Sequence, residues 1–264
     1  MATTAILSAL QDEQSGLTGQ LANARQVRRA GRDFWLGELH AQPVVLALSG
    51  IGKVAAATTT TTLIEAFGVE RIVFTGVAGA LGPNVRVGDV VVASHFVQHD
   101  MDASPLFPRF EIPLYRQSQF ACDGAMTALL LQACRKAVAE RSNQGAGESS
   151  PAVPTVHLGL IASGDRFIST AQSSRAVQQA LRDCAMEPLA VEMEGAAVAQ
   201  VCLDYGMAFV AVRSISDRAD DLAQVDFQRF VTDVASDYAR RIVAHFLLAL
   251  ALRDAAGREV PGTG

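Results

Sequence analysis

Apolar positions along the chain fall into short runs separated by polar and glycine-containing steps. Residues 3–10 (TTAILSAL) are one such run and predict a buried first strand, followed by polar residues 11–16 ending at Gly16. Residues 43–48 (PVVLAL) predict another strand, closed by Ser49-Gly50-Ile51-Gly52. From Val54 to Phe67 the pattern becomes helical, with Leu63, Ile64 and Phe67 on a repeating face. Residues 71–75 (RIVFT) predict a buried strand broken by Gly76 and Gly79, and 88–97 (GDVVVASHFV) a further β-branched strand. An amphipathic helix is expected over 121–140, then a surface loop insertion over 142–154 (SNQGAGESSPAVP), rich in Gly, Ser and Pro. Strand-like sequence resumes at 156–162, a helix is expected over 194–205, a strand over 207–213, and one long helix over 226–252. In that last helix Phe230, Val234, Tyr238, Ile242 and Phe246 recur at helical spacing.

Strands alternating with helices at this pitch predict an α/β fold of three α/β/α layers around a mixed central sheet. A single domain over 1–252 with a frayed tail over 253–264 accounts for the chain length of 264 residues. In such folds ligands sit at the carboxyl ends of strands, so strand exits are where chemistry is sought.

Composition narrows the classes. Half the residues are hydrophobic and 19% charged, which excludes disorder throughout. A net charge of -5 argues against nucleic acid as a main partner. No apolar run reaches the ~18 residues of a membrane span, and the N-terminus lacks the basic region of a signal peptide. Cys122, Cys134, Cys184 and Cys202 form no C-x-x-C pair and read as reduced thiols of a cytoplasmic protein.

Several patterns fail. Gly50-Ile51-Gly52-Lys53 lacks both the phosphate-loop spacing and the third glycine of a dinucleotide fingerprint. His95 and His99, with Asp100 and Asp102, lie on or just beyond a strand, where a spacing of four keeps the histidines well apart; no metal and no cofactor are expected.

Three acids stand out instead. Asp217 follows the strand 207–213 through Ser214-Ile215-Ser216; the bland alternative is a capping or solvated loop acid. Glu13 lies where the first strand exits into Gln11-Asp12-Glu13, and an exposed acidic turn competes with any role for it. Glu194, in Val191-Glu192-Met193-Glu194, offers the bidentate acceptor that ribose hydroxyls need, against the alternative of an exposed edge strand. Arg213 is expected to be the buried partner of Glu192 or Glu194, the acids of this segment.

Three segments together resemble the nucleoside phosphorylase/uridine phosphorylase superfamily, and within it the 5′-methylthioadenosine/S-adenosylhomocysteine nucleosidase family. They are 49–57 (SGIGKVAAA) with 75–82 (TGVAGALG) and 87–92 (VGDVVV); 163–168 (SGDRFI); and 190–198 (AVEMEGAAV) with 210–220 (VAVRSISDRAD). The resemblance implies hydrolysis of an N-glycosidic bond. Asp217 would then protonate N7 of the purine and Glu13 activate water, with Glu194 and Met193 on the ribose. It further implies Phe167 and the backbone of Ile168 at the adenine, with Ser216 assisting. Ala78 and Gly79 belong to the matching segment beside the substrate. Leu10, Ile51, Phe227 and Phe230 match the apolar pocket for the 5′ group, which suits an alkylthio substituent. Family members of this type are homodimers, and Phe107 would reach a neighbouring subunit's site. Val77 departs from the pattern, standing where a serine usually hydrogen-bonds the catalytic aspartate. The rivals are a phosphorolytic relative, disfavoured by the acid Glu13 where phosphate would sit, a hydrolase of another 5′-modified nucleoside such as futalosine or an adenosyl-lipid, and a non-catalytic nucleoside-binding protein, which would be expected to have lost Asp217 or Glu13.

Overall fold

The computed structural model describes residues 2–144, 153–230 and 235–256. Ten strands are joined into one sheet: β1 (Thr4–Ser8), β2 (Ala22–Arg29), β3 (Arg32–Leu39), β4 (Gln42–Leu48), β5 (Arg71–Ala80), β6 (Val90–Gln98), β7 (Gln119–Ala121), β8 (Val156–Ser163), β9 (Pro188–Glu192) and β10 (Ala208–Asp217). The helices are α1 (Gln11–Thr18), α2 (Lys53–Phe67), α3 (Gly124–Gln144), α4 (Ala171–Arg182), α5 (Gly195–Asp204), α6 (Ala223–Phe230) and α7 (Ser236–Ala256).

The sheet is mixed, as expected. Parallel pairs β4–β1–β5–β10 form its middle, and β6–β8–β9 run parallel to one another. Because β10 pairs with both β5 and β6 while β9 pairs with β5, the strands β5, β10, β6, β8 and β9 close into a ring. That closure was not anticipated from the sequence. From the ring an arm extends through β1 and β4 to the antiparallel β3 and β2.

Side-chain alternation along the strands divides the core. Ile6, Val73, Val210 and Val212 face one side, packing with Leu130 and Cys134 of α3 and Ile242 and Phe246 of α7. Their neighbours Ala5, Leu7, Ile72, Phe74, Phe209 and Ala211 face the other, against Ala56 and Leu63 of α2 and Ala196, Val198 and Cys202 of α5. The sheet is thereby covered on both faces, which is why its strands read as near-continuous apolar runs.

Several expectations are corrected. Residues 11–18 are helical rather than a polar turn ending at Gly16; a Cβ at Gly16 would lie 2.6 Å from Ser236 Oγ, so this glycine permits α1 to approach α7. Strand β5 does not break at Gly76 and Gly79 but continues to Ala80. The hairpin β2–β3, helix α4 and strand β9 were not expected: β2 and α4 are mostly polar, and the apolar run of β9 is only Pro188–Val191. The 121–140 helix begins at Gly124, after the short strand β7. It continues to Gln144, and most of the anticipated 142–154 insertion lies outside the described residues. Of the long final helix, the described residues form α6 and α7, and 231–234, Val234 among them, lie outside the described residues. The tail is helical to Ala256, where Asp254 pairs with Arg71 at 2.6 Å. Among the described residues no helix is long and apolar enough to cross a membrane.

Candidate active site

Five strand exits meet around one cavity of about 550 Å³. Its lining includes Leu10, Glu13, Ile51, Val77, Ala78, Gly79, Phe167, Met193, Glu194, Ser216, Asp217 and Phe227. The three acids singled out from widely separated segments are thus brought together by the carboxyl ends of β1, β9 and β10.

Glu13 occupies the third position of α1 and folds back toward the helix start, the half of a capping arrangement that a glutamate supplies. Its Oε2 accepts the N–H groups of Ala9 and Leu10, each at 2.9 Å, and its Oε1 accepts that of Val77 at 3.1 Å. The residue is 3% exposed, which rules out the exposed acidic turn. Burial pushes its pKa above the ordinary carboxylate range, with these backbone donors and the Arg213 charge pulling the other way. Gly76 leaves it room: a Cβ there would lie 3.0 Å from Glu13 Oε1.

Asp217 is the last residue of β10 rather than part of a loop beyond it. A bulge between Ile215 and Asp217 slips the register against Ala78 and Gly79, inserting Ser216 and re-aiming the acid. Asp217 Oδ2 accepts from the Ser216 hydroxyl at 2.8 Å and Oδ1 from Ala219 N–H at 2.8 Å. Burial raises its pKa. The concern over Val77 therefore resolves differently: Ser216 supplies a hydroxyl to Asp217, while Val77 contributes an apolar wall and a backbone donor to Glu13.

Of the two glutamates at the end of β9 and just beyond it, Glu192 is consumed internally. It accepts Arg213 Nη2 at 2.7 Å, the Ser163 hydroxyl, and the N–H groups of Glu194 and Gly195 at the start of α5. Arg213, 1% exposed and stacked 4.0 Å above the Phe74 ring, is thus the buried partner expected. Glu194 is left facing the cavity, with Oε1 accepting Gly52 N–H at 2.8 Å. Burial, and then the negative charge of Glu192, raises its pKa. Gly195 is glycine because a Cβ would collide with the Phe96 ring at 2.1 Å.

Phe167 and Phe227 meet edge to face, centroids 5.7 Å apart, on the cavity wall. Ile168 lines a narrow crevice behind it, beside Gly79, Met193 and Asp217. Phe230, matched to the site, does not reach it and stacks on Tyr238 in the core; Phe107, expected at a neighbouring subunit's site, is half-buried and outside this chain's cavity. Sequence reasoning missed Gln224 and Gln228, which line the cavity one turn apart on α6. No periodic signal marks such amides, since they serve a lip rather than a core.

A family model described as Phosphorylase superfamily matches residues 3–248. The chain belongs to this superfamily. A 5′-methylthioadenosine/S-adenosylhomocysteine nucleosidase of Shewanella denitrificans is 34% identical over 239 residues, covering 90% of this chain and 96% of that protein. The Neisseria meningitidis nucleosidase of the same name, solved with methylthio-immucillin-A, superposes with a TM-score of 0.80 at 33% identity, covering 94% of this chain and 99% of its own. Futalosine hydrolase of Helicobacter pylori superposes with a TM-score of 0.78 at 30% identity, covering 96% and 98%. The superfamily resemblance read from the sequence is thereby borne out.

Proposed function

We propose that this chain hydrolyses the N-glycosidic bond of 5′-methylthioadenosine, S-adenosylhomocysteine or both, releasing adenine and the 5′-thio-ribose. The observation that carries the reading is the convergence of Glu13, Glu194 and Asp217 on one cavity that is apolar at Leu10, Ile51 and Phe227. The names of the similar proteins agree with it.

Breaking the C1′–N9 bond leaves a ribosyl cation and sends the electron pair to the purine, which departs as an unfavourable anion unless N7 is protonated, so an acid beside the base is needed. Asp217 is the candidate: burial raises its pKa, the direction that favours the protonated form. Its proton passes to N7 as the C1′–N9 bond breaks. Water adds to C1′ and gives its proton to Glu13, whose three backbone donors hold the carboxylate in place. Glu194 takes the ribose hydroxyls, and their donation favours its ionised form. Met193 packs on the sugar, and Phe167, with Ile168 behind it, holds the base. No cofactor takes part in this scheme.

We assign the chain to the cytoplasm, on the grounds of four cysteines that are all free. A homodimer is supported by Leu106, Leu114 and Leu203, which are 84%, 90% and 52% exposed. The last two are brought near each other by the Tyr115–Asp204 hydrogen bond. Phe107, in the same loop, would then complete the partner's site.

The test is product analysis with 5′-methylthioadenosine, S-adenosylhomocysteine and futalosine, with and without phosphate. Adenine should appear at a rate independent of phosphate. Asp217→Asn should lower kcat by about 100-fold or more while the protein stays folded. Phosphate-dependent turnover, release of base from futalosine alone, or near-normal rates in Asp217→Asn would overturn the assignment.

A further inference from the structure

Just outside the cavity lies a closed ring of charged groups that the three carboxylates do not use. Lys53 Nζ donates to Asp100 Oδ1 at 2.6 Å and to Gln98 Oε1 at 3.0 Å. Asp100 Oδ2 accepts Asp165 N–H at 2.9 Å, and Asp165 Oδ1 accepts Lys53 N–H at 2.7 Å. The ring runs from the Lys53 side chain through Asp100 to the Asp165 backbone, and from the Asp165 side chain back to the Lys53 backbone. It joins three segments: the turn from β4 into α2, the chain just beyond the end of β6, and the turn after β8.

Two of those turns carry groups that face the cavity. Directly before Lys53, Gly52 donates its N–H to Glu194, and Ile51 lines the wall. Two residues after Asp165, Phe167 lines the same cavity. Gly52 sits at φ +96°, and a Cβ there would lie 3.0 Å from Asp165 Oδ1, so the two turns are in close contact. The Lys53 and Asp100 side chains are 17% and 31% exposed, which shields their ion pair from solvent more than a surface pair. Against the desolvation, hydrogen bonds from Lys53 and Asp165 hold Asp100 below the ordinary range.

We propose that Lys53, Asp100 and Asp165 are positioning residues that lock the ribose-side turn to the base-side turn. Glu194 and Phe167 are thereby held at one separation before the nucleoside arrives. None of the three touches the substrate. The kinetic part of this inference rests on the reaction assigned above. The ring connects loop tips, whereas the sheet pairing of β4, β6 and β8 is complete without it. Its loss therefore loosens the cavity rim rather than the fold. Ribose and base contacts exist in both ground and transition states, so weakening them is a loss of uniform binding, seen in KM.

Two measurements on Lys53→Met, Asp100→Ala, their combination and Lys53→Arg test the idea. Hydrogen exchange needs no substrate: in Lys53→Met, amides of 50–53 and 164–168 should exchange about tenfold faster while those of β5 and α7 are unchanged. With 5′-methylthioadenosine, KM should rise about tenfold in Lys53→Met with kcat within about twofold. The combined variant should be little worse than either alone, because both cut one ring. Lys53→Arg should recover most of the wild-type KM. Unchanged exchange at both turns overturns the proposal. So does a fall in kcat and melting temperature with KM unaltered, which marks a merely structural role. If the wild-type protein releases no adenine, the assigned reaction fails, and the exchange experiment alone decides on the ring.

Discussion

Glu13 and Asp12 are adjacent acids with opposite fates. Asp12 is exposed on α1, whereas Glu13 is buried and held by three backbone donors. Glu13→Gln should therefore lower kcat by about 100-fold or more, while Asp12→Asn changes it by less than about twofold; steady-state kinetics of the pair checks this. The reverse order would move the base by one residue. Glu194 shows what such a site costs. Its folded pKa is raised, by burial first and by Glu192 second. A group with a raised folded pKa contributes stability below its unfolded pKa, and that contribution disappears as pH rises through the folded value. Glu194→Gln removes this liability along with the ribose grip. Its melting temperature should exceed that of the wild type by more at about pH 8 than at about pH 5, while substrate binding is lost. An equal shift at both pH values would show that Glu194 is not proton-linked to folding.

At the scale of elements, β5 governs the site from its backbone. Gly76 clears space for Glu13, and Gly79 does the same for Asp217, whose Oδ1 would lie 2.8 Å from a Cβ at position 79. One strand thus admits an acid from each side, and its glycines, which look like strand breakers, are clearances. Gly79→Ala should displace Asp217 and lower kcat about 100-fold, since misplacement near 1 Å is enough. Calorimetry should record a loss of about 1–3 kcal/mol from the crowding against Ala219. Unchanged kcat would mean that Asp217 tolerates another pose. The bulge in β10 is the complementary device, since without the extra residue Ser216 the acid would fall on the other face of its strand.

At the scale of the molecule, the cavity is backed by apolar packing on both faces of the sheet. The α3–α7 side carries fully buried Phe246, which does not line the cavity. Phe246→Ala should cost about 3–5 kcal/mol in unfolding free energy yet leave the KM of the folded protein unchanged. Denaturant titration and kinetics separate the two effects, and a raised KM would show that this core transmits strain to the site. The buried strands and α2 were legible in the sequence, because burial on both faces writes itself as apolar runs and helical periodicity. The three acids were legible too, since carboxyl chemistry at strand exits beside a family-like motif leaves few alternatives. Chain order by itself could not tell that Glu192 takes Arg213 while Glu194 accepts the Gly52 N–H, that Ser216 rather than a residue at position 77 donates to Asp217, or that five strands close into a ring. Nor could it separate Phe227, on the cavity, from Phe230, in the core. Those are matters of register, bulge and approach between segments far apart in sequence, and they exist once β1, β5, β9 and β10 are packed together.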